Sequence, residues 1–252
     1  MLSDMSSRER LTAAMTGGNK DRIPVCFGGG FGYRQKDVQP DDFLLGWQAD
    51  SKYQRFKNDF SRYTDTLLPW EIYPMNRVLQ VANGVIKYKA DYKRTEDIIQ
   101  RESYLDIPSG RLRMKSELHR NINTTWITEF FAKKKEDLRE IAALPFTIDY
   151  DVIERQYLEY QEKLKLLGDD GLLITSFNSP IVVVSEAMDF EDFFVLTVTD
   201  NDFLHELLGM ITDRYLQIAE AIFERHSYDT IVNLGGSEQC TDRKSTRLNS
   251  SH

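Results

Sequence analysis

Four short apolar segments, at residues 25–27, 64–68, 172–176 and 230–234, are set apart by stretches with the spacing of helices. None of the four alternates cleanly between apolar and polar residues, as expected of strands buried on both faces of a parallel sheet. Strands that alternate with helices in this way predict parallel α/β architecture. The clearest helix runs over 202–225. There Leu204, Leu207, Leu208, Ile211, Tyr215, Ile218 and Ile222 recur every three or four residues. Helices are also expected over 50–60, 134–143 and 151–167, the last with Ile153, Tyr157, Tyr160 and Leu164 on one stripe and Gly168 at its end. At the start, Ser6 followed by Glu9 reads as a capping box, and Gly17-Gly18 stops the helix it opens.

The stretch 84–118 has a different period. Aromatic and β-branched residues alternate with charges over 84–92, 94–104 and 110–118, which predicts an antiparallel meander with one wet face. Asp106-Ile107-Pro108-Ser109-Gly110 supplies its last turn.

Composition narrows the function classes. The 252 residues carry a net charge of −8, which disfavours a protein that grips a nucleic-acid backbone. The longest apolar runs, such as 181–184, fall far short of the roughly 18 residues of a membrane span. No apolar stretch of a secretory signal follows Met1, so a cytoplasmic location is expected. Two cysteines, Cys26 and Cys240, exclude a disulfide scaffold. Both fall at strand ends, where a metal or redox role competes with the commoner one of small buried hydrophobe. The last eleven residues, 242–252 (DRKSTRLNSSH), are polar and without period, and resemble the translation of a sequencing adapter. They are read as a non-native tail, and residues 1–241 as part of a longer domain. The tail contributes +2, so the rest of the chain carries −10.

In parallel α/β folds the reacting groups collect past the carboxyl ends of the strands. That rule selects residues 28–34 after the first strand, including Tyr33 and Arg34. It selects Asp65, Trp70, Glu71 and Arg77 in and after the second, and Asn178 after the third. After the fourth come Gly235-Gly236 and Glu238. The glycine run 28–30 lacks the G-x-G-x-x-G pattern of a dinucleotide loop, and reads as a turn that lets a ligand approach backbone. Tyr33, Trp70 and Tyr73 suit either a pocket for a planar ligand or the core. His119, His205 and His226 read as surface or helix-end residues, and Lys133-Lys134-Lys135 as a solvated run.

Several of these segments, in this order, resemble the uroporphyrinogen decarboxylase superfamily. Arg8-Glu9-Arg10-Leu11 and Asp21-Arg22-Ile23-Pro24-Val25 resemble its opening. Tyr63-Thr64-Asp65-Thr66-Leu67 resembles its aromatic-hydroxyl-Asp-x-Leu strand. Pro108-Ser109-Gly110-Arg111-Leu112 is similar to a turn of its divergent members. Phe177-Asn178-Ser179-Pro180 and Tyr228-Asp229-Thr230-Ile231 stand where the family has a Gly-x-Pro strand end and a Gly-Ala-Asp strand start. The resemblance implies a (β/α)8 TIM barrel, of which residues 1–241 hold about the first four strands.

It also implies decarboxylation of a porphyrinogen-like or other carboxylated substrate, with no cofactor. Asp65 would be the catalytic group that stabilises positive charge on a protonated pyrrole. A strand-end aspartate that ties down a neighbouring helix or loop is the competing role. Arg34 would clamp a substrate carboxylate, and Tyr33, Glu71, Arg77, Asn178 and Glu238 would bind substrate. The sequence departs from the family at Cys26–Arg34, which replaces an arginine-rich segment, and at Gly235-Gly236, which replaces Asp-Ser. Another branch of the superfamily moves methyl groups from corrinoid proteins to thiols on a zinc held by His and Cys. In that alternative the ligands would lie beyond Thr241, and a corrinoid protein would be the partner. A homodimer is compatible with either, and an inactive fragment of such an enzyme is the third expectation.

Overall fold

The computed structural model describes residues 5–26, 38–61, 63–74, 78–82, 84–122 and 124–235. Tyr33, Arg34, Arg77, Glu238, Cys240, the glycine run 28–30 and the tail 242–252 lie outside the described residues. In chain order the elements are α1 (Ser7–Thr16), α2 (Ser51–Ser61), β1 (Thr66–Pro69), β2 (Ile86–Arg94), β3 (Ile98–Ile107), β4 (Gly110–His119) and β5 (Thr125–Glu129). There follow α3 (Lys135–Ala142), α4 (Tyr150–Leu167), β6 (Gly171–Asn178), α5 (Pro180–Ser185), α6 (Phe190–Thr199), α7 (Asn201–Arg225) and β7 (Thr230–Gly235).

The fold is mixed α/β, with one parallel and one antiparallel sheet. The parallel sheet has the order β1-β6-β7, with Thr66 opposite Gly171 and Leu173 opposite Thr230. Among the described residues it is open and three-stranded, one strand fewer than the sequence predicts. Residues 23–26 lie outside any strand. Val25 still touches the sheet, because its carbonyl accepts the Asp65 N–H at 2.7 Å.

The meander forms as expected and gains a fourth strand, in the order β2-β3-β4-β5. Ser103, Leu105 and Ile107 on β3, with Ser116 and Leu118 on β4, turn inward at every second position. The outward positions carry charges, among them the Arg111–Asp106 pair.

Two apolar clusters hold these layers. One joins the meander to α3, α5, α6 and the first half of α7 through Leu105, Phe131, Leu138, Ile141, Val184 and Ile211. The other packs β6 against α4 and the second half of α7 through Ile153, Tyr160, Leu173, Phe177 and Ile222. Helix α7 contributes to both and fastens one to the other. Trp70 and Tyr73 belong to the second cluster, so they serve the core and do not line a planar-ligand pocket. The Trp70 indole N–H donates to Thr230 Oγ1 at 2.8 Å, and the Tyr73 hydroxyl accepts the Asp149 N–H at 3.0 Å.

The expected capping box is present. Ser6 Oγ accepts the Glu9 N–H at 3.2 Å, and the Glu9 carboxylate accepts the Ser6 N–H at 2.8 Å. Gly17, with φ 75°, ends α1 in the left-handed region that a side chain would strain. Ser6→Ala is expected to cost about 1 kcal/mol in a urea melt, and an unchanged midpoint would show that the box adds nothing.

Candidate functional site

Two groups of polar side chains sit at opposite ends of the parallel sheet. The first surrounds Asp65, which is 1% exposed. The β1 ladder begins at Thr66, so Asp65 precedes the strand and lies at its amino end. This corrects its grouping with the residues of the carboxyl edge: second in the strand expected over 64–68, Asp65 falls just ahead of the ladder, which starts at Thr66.

Asp65 Oδ1 accepts from Ser7 Oγ at 2.9 Å, from Arg22 Nη2 at 3.1 Å and from Arg10 Nη1. Oδ2 accepts from Arg22 Nη1 at 2.8 Å and from the Val25 N–H at 3.0 Å. A carboxylate has about four lone-pair sites, and five donors occupy them here. Arg10, 3% exposed, also binds Asp21 through Nε at 2.6 Å and Nη2 at 3.0 Å. Burial pushes the Asp65 carboxyl up. The Val25 N–H, the Ser7 hydroxyl and the two guanidinium groups outweigh it and hold the carboxyl below its ordinary value. The hydrogen bond to Asp21 raises the Arg10 value in turn. The result is a charge-balanced lock of two arginines and two aspartates that joins α1, the 21–25 segment and β1.

The second group lies at the carboxyl edge. Glu71, two residues past β1, is exposed, and Asn178 closes β6 half-buried opposite Gly235 of β7. Strand alternation puts Ser176 on the same face as Asn178, away from the packed Leu173, Thr175 and Phe177. Asn233 pairs with Ser176 in register and shares that face. Ser176 and Asn233 were not singled out from the sequence. Their signal was present: each is a polar residue inside a mostly apolar segment.

Beyond β1 the chain makes a strained turn. Leu79 and Gln80 have φ of 50° and 57°, a region that costs non-glycine residues roughly 1–2 kcal/mol each. Arg214, buried on α7, donates to the Leu79 and Ala142 carbonyls and lies 5.3 Å over the Phe146 ring. Burial lowers the pKa of its guanidinium. It also lines an open groove of about 590 Å³ along α7, with Phe146, His205, Glu206, Met210 and Gln217.

The remaining candidates have ordinary roles. Crowding by protein and the Asp65 charge push the Cys26 thiol up, with Arg22 opposing, which disfavours the thiolate a nucleophile or metal ligand needs. His119 sits 3.4 Å from Glu117 on β4. His226 stacks on Tyr157 at 3.7 Å and meets Glu154 at 3.0 Å. Among the described residues no three His, Cys, Asp or Glu side chains converge to hold a metal ion. No helix among them is long and apolar enough to cross a membrane.

These features define a mixed α/β protein with an ion-paired lock at one end of a parallel sheet and a polar edge at the other. No family model matches the sequence, and no curated protein matches it. A methyltransferase from Methanosarcina mazei is a similar solved structure, at 14% identity and a TM-score of 0.43. The match covers 89% of this chain and 57% of that one, so the chain spans little more than half the length of the structure it matches.

Proposed function

We propose that this chain is the substrate-binding part of an enzyme related to the methyl-transferring branch of the uroporphyrinogen decarboxylase superfamily. In this reading the parallel sheet belongs to a (β/α)8 barrel, and a small molecule docks at the carboxyl edge of β1, β6 and β7. The observation that carries the reading is the position of Asp65. Porphyrinogen decarboxylation needs a carboxylate at the mouth of the barrel, beside the developing positive charge. Asp65 lies at the amino end of its strand, and its acceptor sites are filled by protein donors. The carboxyl edge instead offers Glu71 and the neutral Ser176, Asn178 and Asn233. Among the described residues that edge carries one carboxylate beside neutral hydrogen-bonding groups, which suits a substrate with a neutral or positive end there.

In the resembled branch, zinc turns a thiol into a thiolate. The described residues do not supply a ligand set for it. Their own part is narrower. Asn178 and Ser176 orient the substrate by hydrogen bonds, and Glu71 holds its positive end or accepts its proton. A corrinoid protein is the methyl donor in this reading.

The test is titration calorimetry of the purified protein with methylcobalamin and with a small thiol, beside an assay of carbon dioxide release from a porphyrinogen. Thiol or methylcobalamin binding, weakened about 3- to 10-fold by Asn178→Ala, is the expected result. Carbon dioxide release that Asp65→Asn abolishes at unchanged stability would restore the decarboxylase reading. A folded protein that binds none of the three ligands would leave only the inactive fragment.

A further inference from the structure

We infer that the groove along α7 is a separate binding site, for a small zwitterion whose carboxylate and primary ammonium are joined by an apolar spacer. The inference does not depend on the reading of the carboxyl edge. Its centre is Arg214, which is 7% exposed. A guanidinium has five N–H donors. Two of them go to protein: Nη1 donates to the Leu79 carbonyl at 2.5 Å and Nη2 to the Ala142 carbonyl at 2.9 Å. Both acceptors are neutral. Among the described residues no carboxylate pairs with this guanidinium, and no acidic neighbour offsets the burial that lowers its pKa. A buried cation that carbonyls hold but no anion neutralises is destabilising. Arg214 nonetheless lines the groove, so an anion entering from solvent can reach the donors that protein leaves over. Phe146, whose ring lies 5.3 Å from the guanidinium carbon, gives the groove an apolar wall.

The other lining residues select the ligand. Glu206, Met210 and Asp213 precede Arg214 on α7 at three- and four-residue spacing, which puts them along one side of the helix. Glu206 and Asp213 are exposed, and neither forms an ion pair among the described residues. Asp213 is next to Arg214 in sequence, but adjacent positions on a helix do not face each other, so its carboxylate does not neutralise the guanidinium. His205 and Gln217, also in the lining, carry no fixed charge. The groove thus has one positive group on its buried side and two negative groups on its exposed side. A plain anion drawn to Arg214 would meet repulsion from both acids, and a plain cation would meet the reverse. A molecule with one charge of each sign is attracted at both ends. Glu206 lies about 12 Å along the helix axis from Arg214 and Asp213 lies closer, so the two charges of the ligand stand apart. Between them Met210 and Phe146 supply apolar contact. Gly209 supplies the room, because a Cβ at that position would meet nothing within 4 Å. The groove volume of about 590 Å³ suits a small molecule.

Titration calorimetry of the full chain with ε-aminocaproate tests this, with caproate, hexylamine and inorganic phosphate as comparisons. The expected result is saturable one-to-one binding of ε-aminocaproate, about tenfold or more tighter than that of caproate or hexylamine, each of which lacks one of the two charges. Gly209→Leu is expected to abolish binding by filling the gap. Gly209 is exposed and leucine is the better helix former, so this variant should melt no lower than the parent. Glu206→Gln combined with Asp213→Asn is expected to weaken ε-aminocaproate about tenfold and not to weaken caproate. A chain that does not bind ε-aminocaproate overturns the proposal. So does binding that Gly209→Leu leaves intact. Caproate or phosphate bound as tightly as ε-aminocaproate would show a plain anion site and overturn it as well. A Gly209→Leu protein that melts far below the parent would show that the chain itself fills the gap, with the same consequence.

Discussion

Asp65→Asn is expected to lower the unfolding free energy by about 3 kcal/mol, among the largest effects of any single polar substitution in this chain. The reason is the lock described at the amino end of β1. An asparagine keeps the size but removes the charge, and it turns one acceptor oxygen into an NH2 that confronts the donors of Arg22 and Val25. Arg10 keeps Asp21 but loses its second carboxylate while still 3% exposed, so a buried net positive charge is left behind. Urea unfolding of the variant and the parent measures the loss. The pH dependence carries the same information. The Asp65 carboxyl is held below its unfolded-state value. Its contribution is therefore complete above the ordinary aspartate value near 4 and is lost as pH falls below it. The parent is expected to lose stability steeply on acidification, and the variant less so over the same range. A variant as stable as the parent that nonetheless lacks activity would place Asp65 in the chemistry and remove it from the lock.

Why this was half legible in the sequence is a matter of boundaries and distance. The strand carrying Tyr63-Thr64-Asp65-Thr66-Leu67 was readable from its apolar residues. Asp65 stands near the amino end of the strand whether the strand starts at 64 or at 66, and grouping it with the carboxyl-edge residues came from the family resemblance and not from the strand's own boundaries. Its partners were not readable as partners. Arg10 and Arg22 lie 55 and 43 residues away, on a helix and a loop, and only the folded chain brings them together. Local pattern did better where period alone decides. Helix α7 and strand β4 were found to within a residue, because long runs of one period leave few alternatives, whereas β3 starts four residues and ends three residues later than expected. The short elements escaped for the converse reason. Strand β5 is five residues in a polar stretch, and the apolar run 181–184 forms α5, which periodicity cannot tell from a buried strand. The carboxyl-edge pair Ser176 and Asn233 was visible residue by residue, but its meaning needed the parallel register that sets the two side by side.

Gly171→Ala should also cost about 3 kcal/mol, by overpacking a contact that has no slack. Gly171 opens β6 opposite Thr66, the first residue of β1. A Cβ at this position would stand 2.2 Å from the Thr66 carbonyl oxygen and 2.8 Å from its Cβ. The first of those atoms is backbone, so no side-chain rotation relieves the clash. Strand β1 is four residues long and its one described sheet partner is β6, so it has little else to hold it if the pair is pushed apart. In a chain of this size about 3 kcal/mol corresponds to a fall of roughly 6–12 °C in Tm. Gly209→Ala is the control. That glycine lies within α7, where an added methyl meets nothing within 4 Å, and alanine should raise stability by up to about 1 kcal/mol. Because Asp65 immediately precedes β1, displacing the strand also loosens the lock. The double variant Gly171→Ala with Asp65→Asn is then expected to lose less than the two single losses together, with a coupling of at least about 0.5 kcal/mol. Strict additivity would mean that the strand and the lock are held independently, and a Gly171→Ala protein that melts with the parent would show that β1 and β6 do not approach as closely as this pairing requires.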